Sequence, residues 1–245
     1  MTRRRWLADR VEGDLASLLG DHADHLSRVL RAEIGQQYDV ATPAGVRVGR
    51  IVSVKEGCVD FLLSDFLPNP VVITPEITLA LAIYKFDRME WAIEKCTELG
   101  VTKIIPFIAT RTEKHLAQAA QRRAERWRRL ATQASEQSRR ATPPAVDDPI
   151  KFDQLIATDA NKDAPARIVL AESETTLSLA SPLTQAQGRI ILAIGPEGGW
   201  TSGELNKFTQ SGWKSATLGP TILRAETAAI AAVAIAFSHL QQPHQ

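Results

Sequence analysis

The chain holds only two cysteines, Cys58 and Cys96, and they lack the spacing of metal ligands. They are expected to be reduced, mostly buried thiols. Its five histidines are scattered with no His-x-x-x-His or His-Glu pair, so no metal is expected. Long apolar runs are missing too: the longest, Ala228–Phe237, is too short to span a bilayer. The amino terminus is basic but lacks the apolar segment of a secretory signal. The expectation is a cytoplasmic protein with no membrane association. An overall charge excess is also absent, since the formal net charge is +1.

What is present is uneven charge. Residues 111 to 140 carry nine Lys/Arg against three Glu, and residues 1 to 10 carry four Arg against one Asp. Basic charge gathered in two places is the footprint of a protein that meets a polyanion. On the long helix read over Leu116–Arg140, Arg122, Arg126 and Arg129 share one face with little acid opposing them. A solvated charge face is the bland alternative; a phosphate partner explains unpaired like charges better.

At 245 residues the chain suits two modest domains or one large one. Residues 1–72 read as a small β-rich domain, and short strands with tight turns suggest a barrel. The strands expected are Arg3–Ala8 at an edge, Tyr38–Ala41, Val46–Lys55 and Cys58–Leu63, with a helix over Asp21–Arg31 capped by Asp21. Asp65–Pro70 is the expected linker. From residue 73 strands and helices alternate, which predicts a largely parallel α/β sheet. Strands are read over Thr78–Tyr84, Lys103–Ala109 and Arg167–Ala171, with helices over Asp87–Leu99 and Phe152–Thr158. The Pro143-Pro144 pair is expected to end the basic helix.

Two loops stand out. Gly195-Pro-Glu-Gly-Gly-Trp200 follows the apolar run Arg189–Ile194, a buried strand, and precedes a helix over Ser202–Gln210 with Thr201 or Ser202 as cap. Leu218-Gly-Pro-Thr-Ile-Leu-Arg-Ala-Glu-Thr227 follows a short strand, Lys214–Leu218, and precedes the alanine-rich helix Ala225–Leu240. Ligands bind at the carboxyl ends of strands in open α/β sheets, and two such loops at neighbouring strand ends would make one pocket. The first loop is neither a dinucleotide fingerprint nor a P-loop, and its Glu197 would repel phosphate. A neutral or cationic ligand of adenosine type, read by main chain, suits it better.

These loops resemble the signature motifs of the RsmE family, bacterial 16S ribosomal RNA (uracil-N3) methyltransferases of the SPOUT, or α/β-knot, superfamily. The likeness extends to His25-Leu-Ser-Arg-Val-Leu-Arg31, to Arg88-Met-Glu-Trp-Ala-Ile-Glu-Lys95 with Glu98-Leu-Gly-Val101, and to Arg126-Trp with Glu136-Gln-Ser-x-Arg140. The resemblance implies a PUA-like RNA-binding β-barrel over 1–72 and a SPOUT methyltransferase domain over 73–245. The carboxy-terminal chain of that domain would thread a deep trefoil knot, and it would pair two copies as a homodimer. It implies S-adenosyl-L-methionine as cofactor and 16S ribosomal RNA or the small subunit as partner. Thr221 stands where the family usually has Arg, and Ala225 where it usually has Thr.

On that reading Leu170, Ile194, Gly195, Pro196, Gly198, Gly199, Leu218, Gly219, Ile222, Leu223 and Thr227 hold the cofactor. Arg224 stabilises the uracil anion, and Glu197 or Glu226 accepts the N3 proton. A purely structural pairing of Arg224 with Glu226, which would cap the final helix, is the competing reading. Arg3, Arg4, Arg5, Arg28, Arg31, Arg88, Arg122, Arg126, Arg129 and Arg140 are the expected RNA contacts. Two rivals stay open: an RNA-binding module of the same fold that is catalytically weak or inactive, and a Rossmann-type enzyme acting on a small molecule.

Overall fold

The computed structural model describes residues 5–67, 75–157, 166–184, 186 and 188–241, so Arg3, Arg4 and residues 68–70 of the expected linker lie outside the described residues. Its contacts divide into two units, Met1–Val72 with Ser135–Pro143, and Ile73–Ala134 with Pro144–Gln245.

In the first unit β1 (Arg5–Leu7), β2 (Arg10–Glu12), β3 (Leu15–Leu19), β4 (Gln37–Thr42), β5 (Gly45–Lys55) and β6 (Cys58–Phe66) form one sheet in the order β1-β4-β5-β6-β3-β2. Ala8 N–H donates to the Ala41 carbonyl and Asp9 N–H to that of Ser17. One segment, residues 5–12, therefore pairs with β4 through its first half and with β3 through its second, joining both edges of the sheet. Alternation along β6 buries Val59, Phe61 and Leu63, which pack with Trp6, Leu18, Leu26 and Val40. Full burial of each such side chain contributes about 1.5–3 kcal/mol. The β2–β3 hairpin was not expected from the sequence, because Leu15-Ala-Ser-Leu-Leu19 has no polar alternation.

The helix expected over Asp21–Arg31 is shorter and differently wound. α1 spans Gly20–Asp24 with Leu19, not Asp21, at its cap position, and His25–Val29 continue as a π-helical turn. Ser27 Oγ donates to the Ala23 carbonyl at 2.8 Å, occupying the acceptor that the next turn of α-helix would use. The segment ends at Arg31 in the left-handed region, φ 50°.

His22 sits between two carboxylates of this unit, Nδ1 at 3.3 Å from Asp9 and Nε2 at 3.6 Å from Glu136. The hydrogen bond to Asp9 and the charge of Glu136 raise its pKa above the ordinary 6.5 against the opposing effect of burial. A raised folded-state pKa means stability that is complete below pH 6.5 and is lost as pH rises through the folded value. Thermal unfolding should therefore show a downward step in midpoint above pH 6.5 that is absent in His22→Gln; equal pH profiles for the two proteins would refute the assignment.

In the second unit the strands are β7 (Glu76–Ala82), β8 (Lys103–Ile108), β9 (Ala145–Val146), β10 (Ile150–Lys151), β11 (Ala166–Leu170), β12 (Arg189–Ile194) and β13 (Lys214–Ala216). The order is β10-β8-β7-β12-β11-β13, with β9 paired to β8, and the pairings are parallel. The helices are α2 (Phe86–Glu98), α3 (Lys114–Gln137, its last three residues belonging to the first unit), α4 (Phe152–Ala157), α5 (Ala180–Leu183), α6 (Ser202–Gln210) and α7 (Ala225–Leu240). Strand alternation sorts them into two layers. Ile77, Leu79, Leu81, Ile190, Leu192 and Ile194 face α2, α3, α5 and α7, while Ala80, Ala82, Ile191 and Ala193 face α4 and α6.

α3 stops at Gln137, before the proline pair expected to end it. Arg139 takes the left-handed conformation, φ 61°, its N–H bonds the Glu136 carbonyl and that of Arg140 bonds the Ser135 carbonyl. This is a Schellman closure with arginine in the place usually held by glycine, so the sequence carried no glycine to announce it.

Candidate functional site

The loop-bearing strands β12 and β13 are not neighbours, contrary to expectation: β11 lies between them. The loops nevertheless meet, because the end of β11 adds the floor. A cleft of about 470 Å³ is lined by Leu170–Glu172, by Ile194–Glu197 with Gly199 and Trp200, and by Ala216–Ala225 with Ala228. Lys85 and Arg88, at the start of α2, close one side.

Of the expected cofactor residues, Leu170, Ile194, Gly195, Pro196, Gly199, Leu218, Gly219, Ile222 and Leu223 line this cleft. Gly198 and Thr227 do not. The Gly198 carbonyl is turned to Arg111, whose Nη1 donates to it at 2.6 Å, and Thr227 lies exposed on α7. Gly195 is required for a close approach, since a Cβ there would lie 2.9 Å from the Trp200 indole. Gly219 is required for conformation, with φ at 131° and open space around it. Thr201 caps α6 as expected, in a reciprocal capping box with Glu204.

The charges of the cleft do not pair as the sequence suggested. Glu226 is 4% exposed, in the first turn of α7 behind the lining residues, where the helix dipole favours a carboxylate. The cation within 4 Å of it is Arg88, Nε at 3.9 Å, and not Arg224. Arg88 also holds Glu197 on the cleft wall, Nη1 to Oε1 at 2.5 Å. Arg88, expected on an RNA surface, thus lies between two carboxylates. Arg224 lines the cleft, exposed, with no acceptor among the described residues.

Sequence reasoning missed Lys85, Glu172, Trp200 and Arg111. Trp200 stood inside the glycine motif; its Nε1 donates to the Leu170 carbonyl at 2.7 Å and its ring stacks on Phe107. Glu172 lies two residues past the end of β11, where an acidic residue near a strand end was a usable signal. Nothing local marked Arg111, which meets its partner across 87 residues.

The other arginines divide likewise. Arg122 and Arg129 are exposed on α3 with no acceptor among the described residues, but Arg126 donates to Glu90 of α2 at 2.9 Å. The unopposed face read from the sequence is therefore partly neutralised, by an acid on another helix. In the first unit Arg28 pairs with Asp24 and Glu56, and Arg5 donates to the Arg139 carbonyl. Arg31 is exposed; Arg140 lies past the end of α3, half-buried, with burial lowering its pKa. Among the described residues no cluster of His, Cys, Asp or Glu is placed to hold a metal ion, and no helix is long and apolar enough to cross a membrane.

Comparison with known proteins gives concordant matches. A family model described as an RNA methyltransferase domain matches residues 73–237. The ribosomal RNA small subunit methyltransferase E of Synechocystis sp. is 34% identical over 213 residues, covering 86% of this chain and 68% of that protein. Among solved structures, a putative methyltransferase from Legionella pneumophila in complex with S-adenosylmethionine superposes with a TM-score of 0.85 at 28% identity, covering 97% of this chain and 98% of that one. The ribosomal RNA small subunit methyltransferase E of Neisseria gonorrhoeae, bound to S-adenosylmethionine, gives 0.81 at 27% identity, with 96% of each chain covered.

Proposed function

From the premise that this chain belongs to the RNA methyltransferase family, alongside the ribosomal RNA small subunit methyltransferase E (RsmE) proteins, we propose that it methylates N3 of a uridine in 16S ribosomal RNA with S-adenosylmethionine. The observation that carries this reading is the cleft, in which three strand ends present glycine-rich main chain and apolar walls beside one unopposed arginine.

The residues fit the cofactor. Leu170, Ile194, Leu218 and Leu223 offer apolar surface for an adenine, and the volume suits a nucleoside with a short tail. Glu172 stands where a strand-end carboxylate takes ribose hydroxyls. Its two carboxylates, Glu172 and Glu197, suit a cation better than a polyphosphate. When bound, S-adenosylmethionine supplies an electrophilic sulfonium methyl group. The protein has to present N3, which lies on the pairing edge and carries a proton, so the base must be unpaired or flipped out. Arg224 stabilises the negative charge that develops on the uracil oxygens as the proton leaves. Glu197 on the cleft wall or Glu226 behind it accepts that proton, and Arg88 pairs with both.

We take the first unit as a PUA-like RNA-binding barrel and the second as a SPOUT domain with a trefoil knot. Support for the knot is the chain path: β13 is the outermost strand, yet the segment after it returns to α7, which packs on β7, β12 and α2. Support for a homodimer is the outer stripe of α7, where Thr227, Ala231, Ala234, Ile235 and Ser238 carry no charge and are exposed or half-exposed. Site of action would be the cytoplasm, where the ribosomal substrate is. Thr221 and Ala225 both line the cleft and keep a second reading in play, a catalytically weak RNA-binding module. Calorimetry separates the two: micromolar binding of S-adenosylmethionine supports the enzyme, and no binding leaves the module.

RNA is expected at Arg122 and Arg129. Replacing each by alanine should reduce the salt-dependence slope of RNA binding by about 0.7 per arginine on single-stranded RNA. Arg126→Ala should reduce it less, since Glu90 already competes for that side chain. Equal slopes for wild type and the Arg122/Arg129 double variant would remove this helix from the interface.

A further inference from the structure

We infer that Arg111 is a positioning residue for the cofactor loop, holding Gly195–Trp200 in its binding shape from outside the cleft. The inference rests on reading that cleft as the S-adenosylmethionine site.

Arg111 lies between β8 and α3, in a turn that is itself firmly seated. Thr112 Oγ1 donates to the Ile83 carbonyl at 3.0 Å and accepts from Ala109 N–H at 3.1 Å, which pins the turn to the end of β7. The buried Glu204 carboxylate ties the same turn to the far end of the cofactor loop. One oxygen accepts from Thr110 N–H at 2.8 Å; the other accepts from Thr201 N–H at 2.9 Å and Oγ1 at 2.7 Å. A carboxylate with three donors is a rigid joint.

From that base the Arg111 guanidinium reaches the Gly198 carbonyl at 2.6 Å. Its stem covers Gly198, where an added Cβ would sit 3.4 Å from Arg111 Cβ and Cδ. Inside the loop the Gly199 N–H bonds the Pro196 carbonyl at 2.8 Å. Gly198 is the loop residue turned away from the cleft, while Glu197 and Gly199 on either side line it. Fixing the Gly198 carbonyl outward therefore sets which way its two neighbours face. A loop containing three glycines is costly to order on binding, and a preformed one binds more tightly.

The test compares wild type, Arg111→Ala and Arg111→Lys as full chains. Calorimetry with S-adenosylmethionine alone, without RNA, should show Kd raised about tenfold in Arg111→Ala, a charge-assisted hydrogen bond lost, and less in Arg111→Lys. At saturating cofactor kcat should stay within about twofold, so the defect falls on KM. Hydrogen exchange of the ligand-free protein should show faster exchange at the Gly199 amide, which bonds the Pro196 carbonyl, with β12 and α6 unchanged. That pattern separates a positioning role from general loss of structure, which would speed exchange throughout. Unchanged Kd and unchanged loop exchange in Arg111→Ala would overturn the inference, as would a fall in kcat with Kd unaltered. Failure of wild type to bind S-adenosylmethionine would sink the functional reading instead, and the exchange measurement would still decide whether Arg111 braces the loop.

Discussion

Arg224→Ala should lower methyl transfer about 10²–10³-fold while leaving affinity for S-adenosylmethionine within about twofold, the loss expected when one donor to a developing oxyanion is removed. Three observations lead there. Arg224 lines the cleft, caps no helix through its side chain, and finds no acceptor among the described residues. Of the other cations that line the cleft, Arg88 is taken up by Glu197 and Glu226, and Lys85 stands at the start of α2 on the closing side. Against the structural alternative, that Arg224 merely neutralises Glu226, stands the pairing of Glu226 with Arg88 at 3.9 Å. A cation left unpaired in the cleft is free to meet charge that develops on a bound base. Single-turnover transfer from labelled cofactor to ribosomal RNA, alongside calorimetry, checks it. A rate within threefold of wild type would take Arg224 out of the chemistry.

Gly195→Ala should abolish measurable cofactor binding and lower stability by about 1–3 kcal/mol through overpacking. The added methyl would meet the Trp200 indole at 2.9 Å, and that ring has nowhere to go. Its Nε1 is bonded to the Leu170 carbonyl, one face stacks on Phe107, and Phe208 meets it edge-on. Displacing Trp200 therefore moves the end of β11 and the first loop together, and both line the cleft. Gly203→Ala is the matched control, since its nearest neighbour would be Thr201 Oγ1 at 4.0 Å, so binding should be unaffected and stability unchanged or raised by up to about 1 kcal/mol. Thermal unfolding and calorimetry on both variants decide; unimpaired binding in Gly195→Ala would show that Trp200 can yield.

Much of this architecture is written in local pattern. The strand over Arg189–Ile194, the Thr201 cap with α6, and α7 all stand where the residues put them, because burial on both faces and capping chemistry act over a few positions. Helix ends set by unusual chemistry were not legible: Ser27 diverting a carbonyl, and Arg139 closing α3 without a glycine. Strand order was not legible either. The insertion of β11 between the two loop-bearing strands depends on which hydrophobic rows find each other, and it brought Glu172 into the site beside the expected Leu170. Charge partners are the hardest. Glu90 with Arg126, Arg88 with Glu197 and Arg111 with Gly198 are set by the packing of segments far apart in the chain. Counting charges on one helix face overstated how many arginines α3 leaves unpaired.

The direct measurement incubates the purified chain with unmodified small subunits or 16S ribosomal RNA and S-adenosylmethionine carrying a heavy-isotope methyl group, then maps the modified nucleotides by mass spectrometry. One uridine should be labelled at N3, and labelled about 10²–10³-fold more slowly with Arg224→Ala. Label on a carbon or on a ribose hydroxyl, or no label despite bound cofactor, would contradict it.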